Sequence, residues 1–233
     1  MQESKHYEVV VVGAGVCGIY QLYRLLEQGI NVTVLEAGAD LGGTWYWNRY
    51  PGARFDSESY SYAYSFSDEL LQEWDWSEHF ASQPETLRYL NYVADKFDLR
   101  EHMQFDCRVN SAVFDESECI WKVILEDGRS LTSNILLTAI GMLSTPTLPN
   151  IEGIRAFQGE SFHTYHWPKE PVELQGKRVG VIGTGATGVQ VIADIADKVG
   201  SLTVFQRRPN WCAPLKNGPI DAATMVEIKA SYD

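Results

Sequence analysis

The chain has 233 residues, of which 45% are hydrophobic and 21% are charged, and its formal net charge is −12 at pH 7. This length and composition fit one or two globular domains. The acidic balance argues against binding to nucleic acid or to anionic membranes. No apolar run reaches membrane-spanning length, and the four cysteines lack metal-ligand spacing. We therefore expect a reduced, cytoplasmic protein without a metal site.

The first predicted unit, residues 7–36, has the order strand, helix, strand. A β-branched run after Tyr7 predicts a strand buried on both faces, and Gly29 stands where a helix commonly ends. Between strand and helix lie three glycines with the spacing G-x-G-x-x-G, namely Gly13, Gly15 and Gly18. In this pattern the first glycine makes a tight turn, the second lets the backbone approach a pyrophosphate, and the third lets helix and strand pack closely.

Glu36 ends the second strand of this unit. A carboxylate at that position accepts hydrogen bonds from ribose hydroxyls and would repel a 2′-phosphate. The first unit therefore predicts a site for FAD or NAD. The alternative, glycines that only make turns, is weaker because strand, loop, helix and second strand occur in the expected order.

The stretch between the glycine-rich units predicts one helix and several short strands. Apolar residues recur at helical spacing over residues 84–97, and residues 105–140 have the composition of short strands with a hairpin turn at 126–128. Aromatic residues alternate over residues 59–66, which predicts a strand with its aromatic rings on one face. Four prolines between residues 146 and 171 indicate an extended linker.

The second predicted unit, residues 176–206, repeats the first. Its loop glycines are Gly183, Gly185 and Gly188. Its second strand is followed by Arg207 and Arg208 where the first unit has Glu36. Guanidinium groups form charge-assisted hydrogen bonds with phosphate, so this unit predicts a site for NADP. The alternative for the two arginines is a solvated surface pair.

A third pattern lies just before the second unit. It has the form F-x-G-x-x-x-H-x-x-x-W-P, with the fixed residues Phe157, Gly159, His163, Trp167 and Pro168. Together with residues 43–56, 138–144 and 204–207, this pattern makes essentially the whole chain resemble the Baeyer–Villiger monooxygenases.

The resemblance implies an α/β fold with two Rossmann-like dinucleotide-binding domains, FAD first and NADP second. We expect an FAD domain over residues 1–145, a linker carrying the third pattern over 146–175, and an NADP domain from residue 176 to 233, incomplete in this chain. The implied enzyme uses FAD, NADPH and O2 to convert a small ketone to an ester or lactone through a C4a-peroxyflavin.

The resemblance also implies site residues. Asp56 and Arg54 would lie between flavin and nicotinamide, where the carboxylate of Asp56 partners a catalytic arginine expected beyond residue 233; the alternative for Asp56 is a turn cap. His163 is a further candidate, and we favour a hydrogen-bonding role between the domains over acid–base catalysis. The implied cofactor-binding residues, besides Asp56, the loop glycines, Glu36 and the two arginines, are Thr44, Trp45, Tyr62 and Val109 for FAD, and Thr184, Ala186, Thr187 and Gln190 for NADP. Tyr62 fits a simple aromatic core equally well.

Two other functions stay open at the level of sequence. The chain could be a non-catalytic nucleotide-binding fragment, because the expected catalytic arginine is missing, and alone it would be inactive or at most an NADPH oxidase. It could also belong to a related flavin monooxygenase that oxidises nitrogen or sulfur, although Trp167 argues against that reading.

Overall fold

A computed structural model of the chain describes residues 5–232. Within that range, no helix combines the length and the apolar character needed to cross a membrane. The α-helices of the described residues are α1 (Val16–Glu27), α2 (Thr44–Trp47), α3 (Asp68–Glu73), α4 (Gln83–Lys96), α5 (Ala186–Ile195) and α6 (Ala222–Ala230). The strands are β1 (Lys5–Val12), β2 (Val32–Leu35), β3 (Met103–Gln104), β4 (Val109–Asp115), β5 (Ile120–Leu125), β6 (Ser130–Thr138), β7 (Arg178–Ile182) and β8 (Ser201–Phe205).

The contacts of the chain define two compact units. The first extends to Trp47 and resumes over Leu87–Pro146, whereas the second combines Asn48–Thr86 with the chain from Thr147 onward. The segment that follows α2 therefore belongs with the second glycine-rich unit, although it lies close to the first in sequence. The domain boundaries at residues 145 and 175 stay predictions.

A six-stranded sheet organises the first unit, with the strand order β3-β2-β1-β6-β5-β4. The strands β3, β2, β1 and β6 are parallel, whereas β5 and β4 continue the sheet as antiparallel strands. Central β1 is buried on both faces, with Val9, Val10 and Val11 at most 2% exposed. Val12 pairs with both Leu35 and Thr138, so three parallel strands end at one edge of the sheet, where open α/β sheets bind ligands. The predicted α/β class is confirmed.

Most predicted elements of the first unit are present. Helix α4 covers the predicted apolar periodicity, and β4, β5 and β6 occupy the region expected to form short strands. Gly128 lies in the turn between β5 and β6 with a φ of +87°, and its N–H donates to the Leu125 carbonyl at 3.1 Å. Gly29 ends α1 with a φ of +71°, as predicted for a glycine after a helix C-terminus.

The predicted strand over residues 59–66 is wrong. Residues Ser59–Tyr62 form a 3₁₀ helix instead. The serines between the aromatic residues explain the difference, because Ser59 Oγ donates to the Glu78 carbonyl at 2.5 Å and Ser61 Oγ donates to the Glu58 carbonyl at 2.7 Å. The bond from Ser61 to Glu58, three residues earlier, is the kind of local side-chain bond that competes with a strand ladder.

In the second unit, β7 and β8 form a parallel pair joined by α5. Val191 and Ile195 on α5 are at most 4% exposed. A second hydrophobic group surrounds Phe55, whose ring stacks on Tyr62 at 4.5 Å and meets the edge of Trp76 at 6.0 Å. These aromatic contacts anchor the chain that leads from Asn48 toward α3.

Candidate nucleotide-binding and reaction site

The first glycine loop turns directly off β1. Gly13 has a φ of +103°, and its N–H donates to the Leu35 carbonyl at 2.8 Å. A Cβ on Gly18 would lie only 1.8 Å from the Gly13 carbonyl oxygen, so α1 packs against the loop at a distance that only glycine permits. A Cβ on Gly15 would lie 3.4 Å from the Cα of Gly43, which places the start of α2 beside this loop.

The Glu36 carboxylate holds the first loop in place. Glu36 is 4% exposed, and its two oxygens accept hydrogen bonds from the Ala14 and Gly38 N–H groups, each at 2.7 Å. A carboxylate offers about four acceptor positions. Glu36 therefore links the glycine loop to the chain after β2 and retains acceptor capacity for a ribose.

The other residues proposed for FAD belong to three elements and to both units. Thr44 begins α2 and is exposed, whereas Trp45 is 7% exposed. Val109 begins β4 and packs against the core of the six-stranded sheet. Tyr62 belongs to the second unit, where its ring stacks on Phe55. The roles of these residues toward FAD stay predictions.

The second glycine loop repeats the geometry of the first. Gly183 has a φ of +105°, and a Cβ on Gly188 would lie 2.4 Å from the Gly183 carbonyl oxygen. A Cβ on Gly185 would meet no atom within 4 Å. Gly185 is also the N-cap residue of α5 and supplies no side-chain bond to the helix. The N-terminus of α5, which begins at Ala186, is thus open to an anionic ligand.

The chain after β8 lies beside this loop. The Asn210 amide donates to the Thr184 carbonyl at 2.5 Å, and Thr184 Oγ1 lies 3.5 Å from both Gln206 Oε1 and the Arg208 carbonyl. Arg207 and Arg208 are exposed. Both arginines therefore follow the strand whose end borders the glycine loop, at the position expected for recognising a 2′-phosphate.

The segment from Tyr50 to Asp56 lies along α5, and the Gln190 side chain joins the two. Gln190 Nε2 donates to the Arg54 carbonyl at 2.9 Å and to Asp56 Oδ1 at 3.0 Å, while Tyr50 donates its hydroxyl to Gln190 Oε1 at 2.9 Å. A Cβ on Gly52 would lie 2.5 Å from the Gln190 carbonyl oxygen. The sequence named Gln190 and Asp56 separately, but it did not indicate that they meet.

Tyr50 is sensitive to this environment. Burial raises the pKa of its hydroxyl above the usual 10.0, the negative charge of Asp56 raises it further, and a hydrogen bond with Thr187 lowers it. Tyr50 was not among the predicted site residues. The signal that could have found it is the Tyr-Pro-Gly turn, whose Gly52 has a φ of +78°.

Arg54 is engaged away from Asp56. Its Nη1 donates to Glu78 Oε2 at 3.1 Å and to the Phe80 carbonyl at 3.2 Å. The Asn217 amide donates to the same Glu78 oxygen at 2.6 Å, and Asn217 Oδ1 accepts from the Phe80 N–H at 2.9 Å. Arg54 thus belongs to a cross-link between two stretches of the second unit. Its catalytic role stays a prediction.

His163 caps a short 3₁₀ helix, Thr164–His166, and its Nδ1 accepts a hydrogen bond from the Tyr165 N–H at 3.1 Å. Trp167 packs on Phe162 with ring centroids 5.5 Å apart. The proposed role of His163 between the domains stays a prediction. Within residues 5–232, no group of three or more His, Cys, Asp or Glu side chains could hold a metal ion.

Comparison with known proteins bears directly on these loops. The family described as flavin-binding monooxygenase-like matches residues 6–218, which include both glycine loops and the linker pattern between them. The chain belongs to this family.

The curated relatives of this flavin-binding monooxygenase-like chain include a named Baeyer–Villiger monooxygenase. The chain is 48% identical to the 2-oxo-Δ3-4,5,5-trimethylcyclopentenylacetyl-CoA monooxygenase of Pseudomonas putida, covering 99% of this chain and 43% of the relative. It is 47% identical to a Baeyer–Villiger monooxygenase of Pseudooceanicola batsensis, covering 97% and 42%. It is 42% identical to the phenazine N-monooxygenase of Lysobacter antibioticus, covering 99% and 43%.

Solved structures agree with the family assignment. The complex of OTEMO with FAD and NADP has a TM-score of 0.93 and 49% identity, covering 99% of this chain and 44% of that one. A cyclohexanone-bound cyclohexanone monooxygenase has a TM-score of 0.93 and 42% identity, covering 98% and 44%. The resemblance to Baeyer–Villiger monooxygenases is confirmed, and the chain spans less than half the length of these relatives.

Proposed function

We propose that the full-length protein containing this chain is a flavoprotein monooxygenase that binds FAD at the first glycine loop and NADP(H) at the second. With O2 it oxidises a small ketone to an ester or lactone. The observation that carries this proposal is the 47–48% identity, over 97% or more of the chain, to relatives that include a named Baeyer–Villiger monooxygenase. The two loops supply the matching pair of nucleotide sites.

The first loop suits FAD. Gly15 precedes the N-terminus of α1 and gives that helix no side-chain cap, and the positive end of a helix favours a pyrophosphate. Glu36, already fixed by two N–H groups, can accept hydrogen bonds from the ribose hydroxyls. Its negative charge disfavours a 2′-phosphate, which matches FAD better than NADP.

The second loop suits NADP(H). The open space at Gly185 admits a pyrophosphate against the N-terminus of α5. Exposed Arg207 and Arg208 lie just after β8, where guanidinium groups can pair with a 2′-phosphate. The carboxylate beside the first loop therefore suits a ribose without a 2′-phosphate, as in FAD. The two guanidinium groups beside the second loop suit the 2′-phosphate of NADP(H).

Bound FAD, reduced by NADPH, supplies the electrons and the site of O2 activation. The residues of this chain bind and orient the reactants. Both helix N-termini balance the charge of a pyrophosphate, and Gln190 holds the Asp56 carboxylate at a defined position. Following the family resemblance, we assign to Asp56 the role of orienting a guanidinium group that the rest of the protein supplies. A positive charge held in a fixed position can stabilise a developing anion.

The test uses the full-length protein, FAD, NADPH and ¹⁸O2, with cyclohexanone and phenazine as separate substrates. Mass spectrometry of the products distinguishes the outcomes. A lactone carrying one ¹⁸O, formed only with NADPH, supports the proposal. An N-oxide of phenazine without any lactone would reassign the protein to nitrogen oxidation, for which the Lysobacter relative is the precedent. If NADPH is consumed and O2 is reduced only to hydrogen peroxide, with no oxygenated product from any of a range of ketones, the proposal is refuted.

A further inference from the structure

We propose that Gln190 is a positioning residue that fixes the Asp56 carboxylate and couples it to the helix bearing the second glycine loop. From the sequence, Gln190 is assigned only to NADP binding. Its importance for the reaction rests on the proposed function, because Asp56 matters to turnover only if FAD and NADP(H) act together in this protein.

The hydrogen bonds of Gln190 support this role. A glutamine amide has two N–H donors and a carbonyl oxygen that accepts. Gln190 Nε2 donates to Asp56 Oδ1 at 3.0 Å and to the Arg54 carbonyl at 2.9 Å. Its Oε1 accepts from the Tyr50 hydroxyl at 2.9 Å. Both donors and the acceptor are thus used. These bonds fix the orientation of the amide, with its NH2 group facing Asp56.

The backbone at Gly52 lies close to α5. A Cβ on Gly52 would lie 2.5 Å from the Gln190 carbonyl oxygen and 2.9 Å from Asp194 Cβ. The segment from Tyr50 to Asp56 therefore lies in backbone contact with α5, with one fixed amide holding its end. Burial raises the pKa of Tyr50, so its hydrogen bond to Gln190 is also partly shielded from water.

The position of Gln190 on α5 provides the coupling. Gln190 is four positions after Ala186, the first residue of the helix, which is about 6 Å along the axis at 1.5 Å per residue. A nucleotide on the N-terminus of α5 restrains the helix, and Gln190 transmits that restraint to Asp56. The coupling free energy between nucleotide binding and the order of the Tyr50–Asp56 segment is reciprocal. Removal of the Gln190–Asp56 bond therefore also changes how nucleotide binding orders this segment.

Two variants of the full-length protein test the role. Gln190→Met keeps a similar side-chain volume and removes the three hydrogen bonds. Gln190→Glu keeps an acceptor for Tyr50 and places a second carboxylate within hydrogen-bond distance of Asp56. We expect each to lower kcat about ten- to hundredfold at saturating NADPH, because small displacements of a positioned group have effects of that size.

The pH profile and a control variant make the test specific. Two facing carboxylates take up a proton at higher pH than one, so Gln190→Glu moves the acidic limb of the kcat profile to higher pH. Gln175→Glu makes the same chemical change at an exposed position outside the linker pattern and leaves kcat and its pH profile unchanged. If Gln190 were only a cofactor contact, KM for NADPH would rise and kcat would not fall, which overturns the proposal.

A double-mutant cycle with Asp56→Asn tests whether Gln190 acts through Asp56. We expect Gln190→Met to lower kcat less than about threefold in the Asp56→Asn background, because interacting residues have non-additive effects. Full additivity overturns the proposal. Thermal unfolding and flavin content of each variant are measured first, and only variants that match the wild type in both are compared.

Hydrogen exchange separates this inference from the proposed function. In the wild type, NADP⁺ is expected to slow amide exchange in the Tyr50–Asp56 segment, and in Gln190→Met it is not. This measurement requires no turnover. A wild-type protein that shows the coupling without oxidising ketones would refute the proposed function and keep the coupling. An active wild type with equal protection in both proteins would refute the coupling alone.

Discussion

Alanine at two glycines of the second loop should separate ligand binding from folding. Gly185 has a φ of −71° and open space around its Cβ position, so alanine fits there without strain. Loss of backbone freedom in the unfolded chain then stabilises Gly185→Ala by about 0.4–1 kcal/mol. The new methyl group occupies the space through which we propose the pyrophosphate approaches α5. We therefore expect the Kd for NADP⁺ to rise at least about tenfold, or about 1.4 kcal/mol.

Gly188→Ala should behave in the opposite way. Its Cβ would lie 2.4 Å from the Gly183 carbonyl oxygen, where ordinary contacts begin at 3.4 Å, so α5 must move by about an ångström. Overpacking of this kind costs about 1–3 kcal/mol. At about 2–4 °C for each kcal/mol, the melting temperature falls by roughly 2–12 °C.

Thermal unfolding without nucleotide and calorimetric titration with NADP⁺ measure the two effects separately. The reasoning fails if Gly185→Ala melts well below the wild type, since the space around its Cβ is then not open. It also fails if Gly185→Ala binds NADP⁺ as tightly as the wild type, because the ligand then does not approach the backbone at this residue.

Three further predictions concern other parts of the chain. Arg207→Ala is expected to reduce the preference for NADPH over NADH by about tenfold or more, measured as a ratio of kcat/KM, and an unchanged ratio contradicts the assignment of the second loop to NADP. Because the pKa of Tyr50 is raised in the folded protein, its contribution to stability is complete below pH 10 and is lost as the pH rises through the folded pKa. Denaturant unfolding between pH 9 and pH 11 should therefore show a smaller alkaline loss for Tyr50→Phe than for the wild type, and equal slopes would refute this. Gly18→Ala is expected to lower the free energy of unfolding of the apoprotein more than Gly29→Ala. A Cβ on Gly29 meets no atom within 4 Å, so that variant has only the strain of its positive φ. The reverse order would show that α1 does not pack tightly on the loop.

The sequence predicted those features that depend on local pattern. β-Branched runs indicated β1 and β2, helical periodicity indicated α4, and loop glycines marked the starts of α1 and α5. The error at Ser59–Tyr62 arose because alternation describes only side-chain direction, whereas the serine hydroxyls decided the backbone through bonds to Glu58 and Glu78.

The contacts that the sequence did not reveal are distant along the chain. Gln190 lies 134 residues from Asp56, and Asn217 lies 139 residues from Glu78. No periodicity or motif spacing encodes such pairs, because each depends on how separate segments pack. The sequence could therefore name several members of the candidate site but not the hydrogen bonds that connect them.

The division of the second unit has a consequence for protein synthesis. About 60 residues, Leu87–Pro146, separate its Asn48–Thr86 segment from the part that begins at Thr147, and they belong to the first unit. At about 5–20 residues per second, a ribosome needs roughly 3–12 s to make this insertion. Phe55 and Trp76 can associate with each other during that time, but Tyr50 and Asp56 must wait longer for Gln190. The six-stranded sheet can therefore form first, while the segment that carries Asp56 reaches its final position only after α5 has left the ribosome.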